Sequence, residues 1–115
     1  PARVYRVVAT THGDNVMTAQ PVRAAGMAWY TRQDYPRILE IMEDAEKLPP
    51  TYFAWSKAAE RGKRDLERKG HIVITAIIDP DEFPVWCRAR GLNIDAKARI
   101  QFANETAYAA INKTH

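Results

Sequence analysis

The feature that most constrains the fold is the segment 71–78, which reads His-Ile-Val-Ile-Thr-Ala-Ile-Ile. Apolar residues dominate both sets of alternating positions, so a strand over this range is largely apolar on both faces. A strand of this kind is usually covered on both faces or lies in the centre of a sheet. We therefore predict a central strand over residues 71–78.

A single strand leaves its own backbone groups unpaired, so this strand needs a partner. One alternative is residues 3–9, Arg-Val-Tyr-Arg-Val-Val-Ala, which favour a short strand. The other is the same strand of a second copy, related by a twofold axis. Both alternatives stay open, but a last helix with apolar residues on two sides favours contact with a second subunit. We therefore expect a homodimer.

Helical patterns fill most of the remaining chain. Apolar residues recur at helical spacing from 35 to 48, after a cap at Thr31 or Asp34, and we expect this helix to reach Lys47. Pro49-Pro50 ends it, and a second helix runs from a Thr51 cap to Gly70. Gly62 lies in the middle of that helix on its apolar side, which indicates close approach of another backbone or a bulky ring.

Two further helices follow the strand. Asp81 is the favoured cap of the first, because it places Pro84 in the first turn, and Gly91 ends it. Asn93 caps the last helix, which covers about residues 94–112. The element order is therefore β(weak)-α-α-β-α-α, and it predicts a small, helix-rich, single-domain α+β fold.

The pattern divides at Gly26. Residues 1–26 form an N-terminal segment that contains the short predicted strand and otherwise no clear period, and residues 27–115 form the helix-rich domain. Met27 is a candidate initiator, which would make 1–26 an extension. Pro1 fits equally well as a native start, and both alternatives remain open.

Positive charge is organised at one place. The formal net charge is +3, and four cations of the second helix fall within about 60° of one line, opposite its apolar side. Phosphates attract such a line without regard to sequence. We favour a solvated helix face, because acids flank the line and the spacing predicts i,i+4 ion pairs of Glu60 with Arg64 and of Asp65 with Lys69. In addition, no aromatic residue is interleaved for base stacking. The four candidate nucleic-acid contacts are Lys57, Arg61, Arg64 and Arg68.

Recognisable catalytic, metal-binding and cofactor-binding motifs are missing from the sequence. The chain has one cysteine and three widely separated histidines, in none of the usual metal-ligand spacings. We interpret Cys87 as a buried structural residue and the acids of 79–82 as helix caps rather than an acid/base pair. We predict no catalytic residue, no metal and no cofactor.

Length and composition fit one globular domain. With 115 residues, 46% of them hydrophobic, the chain can bury a core without disulfides. A single cysteine favours a reducing compartment, and no apolar run approaches a membrane span. We therefore expect a cytoplasmic protein without a membrane partner.

Aromatic residues cluster between positions 29 and 55. Most fit a core, but two lie off the main apolar stripes and suit a partner surface. With one residue from the strand and one from the last helix, the candidate interface residues are Tyr30, Phe53, Ile74 and Phe102.

A pattern of aromatic and capping residues is found at Trp29-Tyr30, at Asp34-Tyr35 and in the segments 48–55, 78–87 and 91–99. This pattern resembles a group of small bacterial proteins with no assigned activity. The likeness covers about residues 27–103. The resemblance implies a small cytoplasmic bacterial protein and supplies no catalytic residues.

Two functions follow as hypotheses. The first is a non-enzymatic interaction or regulatory module that acts as a homodimer. The alternative is a nucleic-acid-binding protein that uses the cations of the second helix.

Overall fold

A three-stranded mixed sheet organises the molecule in the computed structural model, which describes residues 4–6 and 23–112. Strand β2 (Arg23–Trp29) lies in the middle, antiparallel to β1 (Val4–Arg6) and parallel to β3 (His71–Ile77). The predicted α+β class is confirmed. The predicted strand over 3–9 is represented by β1, and its remaining residues lie outside the described part of the chain, as do His12 and His115.

Within the residues that the structure describes, four helices accompany the sheet. The first two, α1 (Tyr35–Ile41) and α2 (Tyr52–Arg68), connect β2 to β3, and α3 (Glu82–Ala89) and α4 (Ala96–Asn112) follow β3. A parallel strand pair needs such a crossover connection, and two helices with a short 3-10 turn at Ala45–Lys47 supply it here.

The position of β3 differs from the prediction. The strand is present where the sequence predicts it, but among the described strands it lies at the edge of the sheet and β2 takes the centre. Its partner in the chain is neither of the two expected alternatives. β2 pairs with it in an unbroken register from Arg23↔His71 to Trp29↔Ile77, and β2 runs through Gly26, where the sequence pattern divides.

Helices α2 and α4 cover opposite faces of the sheet. A Cβ on Gly26 would lie 2.2 Å from the carbonyl oxygen of Ala103 in α4, so the two backbones are in direct contact there. The next residue, Met27, points to the other face and brings its methyl group to 3.6 Å from where a Cβ on Gly62 would lie. The expectation that Gly62 admits a backbone or a ring is therefore wrong, and the close-approach glycine is Gly26.

Helix α1 ends earlier than predicted, at Ile41 rather than Lys47. Glu43 leaves the helical path and pairs with the segment before α4, where its N–H donates to the carbonyl of Ile94 at 2.8 Å and its carboxylate accepts from the Ile94 N–H at 3.1 Å. Met42 adopts an extended conformation to allow this turn. These tertiary hydrogen bonds outweigh the helical pattern of the sequence.

The last two helices are capped by neighbours of the predicted residues. The carboxylate of Asp79 accepts from the N–H groups of Asp81 and Glu82, while Asp81 makes no capping bond through its own side chain. For α4, the carboxylate of Asp95, not Asn93, accepts from the N–H of Ala98. The acids of 79–82 thus support a helix start, as the sequence indicates, with Asp79 as the acceptor.

Candidate functional site

Among the ion pairs of the described residues, the one between Asp44 and Arg99 is the most deeply buried, with side chains 12% and 11% exposed. The guanidinium of Arg99 in α4 donates two hydrogen bonds to the carboxylate of Asp44, at 2.8 and 3.1 Å. The carboxylate also accepts from the N–H of Ala96, at the start of α4. The Arg99 hydrogen bond holds the pKa of Asp44 below its usual value, against the opposing effect of burial. This pair joins the turn after α1 to α4.

Tyr30 lies near this pair in the core, not on a partner surface. Its side chain is 2% exposed and packs between Tyr35 and Trp55, with ring centroids 5.7 and 4.8 Å away. Burial raises the pKa of its phenol to about 12, although the charge of Arg99 opposes the shift. The expectation that Tyr30 faces a partner is therefore wrong.

A cavity of about 220 Å³ opens between β2 and the first turns of α4. Its lining is mostly apolar, with residues 26–28 of β2 on one side and Ala96, Ile100 and Ala103 on the other. Arg99 is the ionisable residue of this lining. Because its guanidinium is already held by Asp44, the cavity offers a ligand no free charge.

Cys87 is a core residue. Its side chain is fully buried, and burial raises the pKa of the thiol. A thiol with a raised pKa is a poor nucleophile, since the thiolate is the reactive form. The geometry agrees with the structural interpretation of this residue.

Across the part of the chain that the structure describes, no three His, Cys, Asp or Glu side chains come together to hold a metal ion. No helix within the same residues has the length and apolar character to span a membrane.

The four predicted cationic contacts lie together on the outer side of α2, and we call them the basic face. Lys57, Arg61, Arg64 and Arg68 are all exposed, while Trp55 and Ala59 are buried on the opposite side of the helix. Arg68 forms an ion pair with Asp65. The pairs predicted from spacing, Glu60 with Arg64 and Asp65 with Lys69, do not form, so Lys57, Arg61 and Arg64 have no ion pair with any described acid.

An aromatic ring does accompany the basic face, contrary to the sequence interpretation. Phe53 is 64% exposed, and the ammonium group of Lys57 lies 5.2 Å from the centre of its ring. Counting Phe53, the five side chains fall within about 80° around the helix. The signal was present in the sequence, because Phe53 stands four residues before Lys57 on the same side.

The second exposed surface is the side of β3 that faces away from β2, which we call the β3 edge. Ile72 and Ile77 are 52% and 57% exposed and lie on opposite faces of the strand. The seven residues include no Lys, Arg, Asp, Glu or Pro, and the register with β2 shows no bulge. Charges, prolines and bulges are the devices that usually protect an edge strand from pairing with another chain.

Of the two remaining interface candidates, Ile74 lies in β3 and Phe102 packs inside the protein. Ile74 lies in the middle of β3 and is half-buried. Phe102 is also half-buried, but its ring packs edge-on against Phe83 and Trp86 of α3, at 5.6 and 5.3 Å between centroids. The two apolar sides of the last helix therefore contact the sheet and α3 of the same chain. They give no support to a second subunit.

Comparison of the chain with protein-family models, with curated proteins and with solved structures found no match.

Proposed function

We propose that this protein is a non-enzymatic interaction module that acts as a homodimer, with two copies pairing through the β3 edge. The observation that carries the proposal is the unprotected character of that edge. It presents the N–H and C=O groups that point away from β2, between isoleucines that are half-exposed on both faces.

A second copy is the occupant that fits this edge best. Twofold-related strands pair antiparallel, and a register centred on Ile74 places Ile72 opposite Ala76 on the same face. A large side chain then meets a small one at that position, and Ile74 meets its own copy. The strand carries no formal charge, so two copies do not repel each other there.

Burial of apolar surface supplies the favourable free energy. Each dimer would cover two copies of Ile72 and Ile77, and full burial of one such side chain is worth about 1.5–3 kcal/mol. Pairing also satisfies backbone groups that otherwise bond to water, at about 1 kcal/mol for each net hydrogen bond. The association cost of several kcal/mol offsets part of this gain, and we expect micromolar dissociation constants.

The buried polar side chains described above are engaged in contacts within the core, which supports an interaction role rather than catalysis. Asp44 and Arg99 bond to each other, Tyr30 is packed among aromatic rings, and the Cys87 thiol is buried. The proposal places the protein in the bacterial cytoplasm, on the strength of its single buried thiol and the resemblance described above.

Sedimentation velocity of an edge variant tests the proposal. In Ile72→Lys/Ile77→Lys each edge gains two cations, so the paired strands would repel each other and the cations would lose water on pairing. We therefore expect the mass to fall from twice 13.1 kDa to 13.1 kDa at about 50 µM. The matched control is Val85→Lys, which places a cation at a 55%-exposed apolar residue of α3, away from the edge. It is expected to remain dimeric.

Two results would overturn the proposal. One is a wild-type protein that stays monomeric at that concentration. The other is a dimer that persists in the edge variant. The unfolding midpoint of each variant, followed by circular dichroism, establishes that the chain is folded when its mass is measured.

A further inference from the structure

We propose that the basic face of α2, together with Phe53, is a binding surface for single-stranded nucleic acid. This inference goes beyond the homodimer, because each chain carries its own α2 and the surface is complete within one copy.

The first support is unneutralised charge. Lys57, Arg61 and Arg64 are exposed and make no ion pair with a described acidic residue, although Glu60 lies only one residue from Arg61. From Lys57 to Arg68 the cations extend over about 16 Å of the helix axis. A line of this length can follow several consecutive phosphates of a nucleic-acid backbone, and the released counterions drive the association.

The second support is the exposed ring at the N-terminal end of that line. Phe53 stands where α2 begins, and nothing in the described core covers it. A phenyl ring of this kind can stack on a base, and stacking on one aromatic side chain is worth about 1–3 kcal/mol. A ring beside a row of cations is the combination by which proteins hold single strands without sequence preference.

The exposed ring of Phe53 favours one class of polyanionic ligand over the others. In a nucleic-acid duplex the bases are already stacked on one another, so Phe53 could touch only the outer edge of the duplex. An acidic polypeptide offers charge to the arginines but no flat partner for the ring. A single strand satisfies both features, since its unpaired bases are free to stack.

The salt dependence of binding measures the charge contribution. All four cations are counted as phosphate contacts, because Arg68 can exchange its exposed pair with Asp65 for a phosphate. For a fluorescent oligothymidylate of about 12 nucleotides, four released counterions then give a slope of log K against log salt of about −2.8. Affinity then falls about 50-fold between 50 and 200 mM salt. In Arg61→Gln/Arg64→Gln the expected slope is about −1.4, and the same change in salt lowers affinity about 7-fold.

A charge-matched control separates position from net charge. Arg88→Gln/Lys97→Gln removes two exposed cations from α3 and α4 and leaves α2 intact. We expect this control to bind with the wild-type slope. If it weakens binding as much as the α2 variant, the surface is not on α2 and the proposal is wrong.

Substitution of the ring tests the aromatic contribution. Phe53→Leu keeps an apolar side chain at the position but removes the ring, so affinity should fall at least about 5-fold while the salt slope stays at the wild-type value. Unchanged affinity in this variant would contradict the role of Phe53.

Competition identifies the class of ligand. A single strand is expected to compete more strongly than a duplex with the same number of phosphates, or than polyglutamate of equal charge. Equal competition by either one would overturn the assignment. A monomeric protein that still binds the oligonucleotide would overturn the homodimer alone and support this surface.

Discussion

At the scale of single residues, Gly26 shows how tertiary contact selects a residue that looks unstructured in the sequence. It lies within Arg-Ala-Ala-Gly, which carries few of the side chains that favour strands. In the fold, small residues are required there, because the carbonyl of Ala103 occupies the space that any Cβ would need. The sequence shows that both residues are small but does not show their contact, which joins positions 77 residues apart.

Gly26→Ala is therefore expected to destabilise the protein. The added methyl would overlap backbone atoms that cannot rotate away, at a cost of about 3 kcal/mol in the free energy of unfolding. Gly62→Ala is the matched control, because its Cβ would meet only the flexible methyl of Met27 at 3.6 Å. Removal of a mid-helix glycine should stabilise that variant by up to about 1 kcal/mol. Urea unfolding curves measure both changes, and equal effects would contradict the assigned contacts.

The ion pair of Asp44 and Arg99 lies beyond sequence prediction for a similar reason. Its partners are 55 residues apart, and neither lies in a recognisable motif. The available signal was weak: a single arginine between the apolar residues Ala98 and Ile100. A cation at such a position is buried, and it then requires a partner that the sequence does not identify.

Asp44→Asn should remove the charge partner of a buried arginine and cost about 3 kcal/mol near pH 7. The pKa of Asp44 is lowered in the fold, so its contribution is present above the unfolded pKa, about 3.9, and is lost as pH falls through the lower folded value. The stability difference between wild type and variant should thus shrink below about pH 4. Urea titrations at neutral and acidic pH measure it.

The exposed pair of Arg37 and Asp81, with atoms 2.9 Å apart, supplies the control. Asp81→Asn should cost less than about 1 kcal/mol, because water screens an exposed pair. A stability difference for Asp44→Asn that stays constant from neutral to acidic pH would contradict the role given to its carboxylate.

At the scale of elements, the sequence predicts the helices and β3 but misses β2. The helices have apolar residues at helical spacing, and β3 has branched residues throughout. Four of the seven residues of β2 are alanine or glycine, because α4 lies against the strand, so β2 lacks the run of branched side chains that identifies a strand. Without β2, the position of β3 in the sheet cannot be derived, and an edge strand is mistaken for a central one.

The start of α3 provides a test at this scale. Asp79 accepts two backbone N–H groups at 2.8 and 3.0 Å, so Asp79→Ala should cost about 1 kcal/mol of stability. Asp79→Asn keeps an acceptor oxygen and should cost only a few tenths. Thermal or urea unfolding measures the difference. Equal losses in the two variants would show that the capping bonds do not contribute.

At the scale of the whole molecule, the candidate surfaces are partly visible in the sequence. The four cations share one side of α2 as their spacing predicts, because helix geometry fixes it. Their ion pairs depend on side-chain rotamers, which spacing does not fix. Asp65 therefore pairs with Arg68 and not with the predicted Lys69. The β3 edge was not predictable, since exposure of Ile72 and Ile77 depends on which strand lies beside them.

Hydrogen–deuterium exchange of the β3 segment at increasing protein concentration tests the central claim most directly. About half of the N–H groups of an edge strand point away from its neighbour and exchange with solvent. If two copies pair there, protection of residues 71–77 should rise with concentration, over the range in which the mass doubles. If protection of residues 71–77 does not change with concentration, the two copies do not pair through the β3 edge. This conclusion holds whether or not the mass doubles.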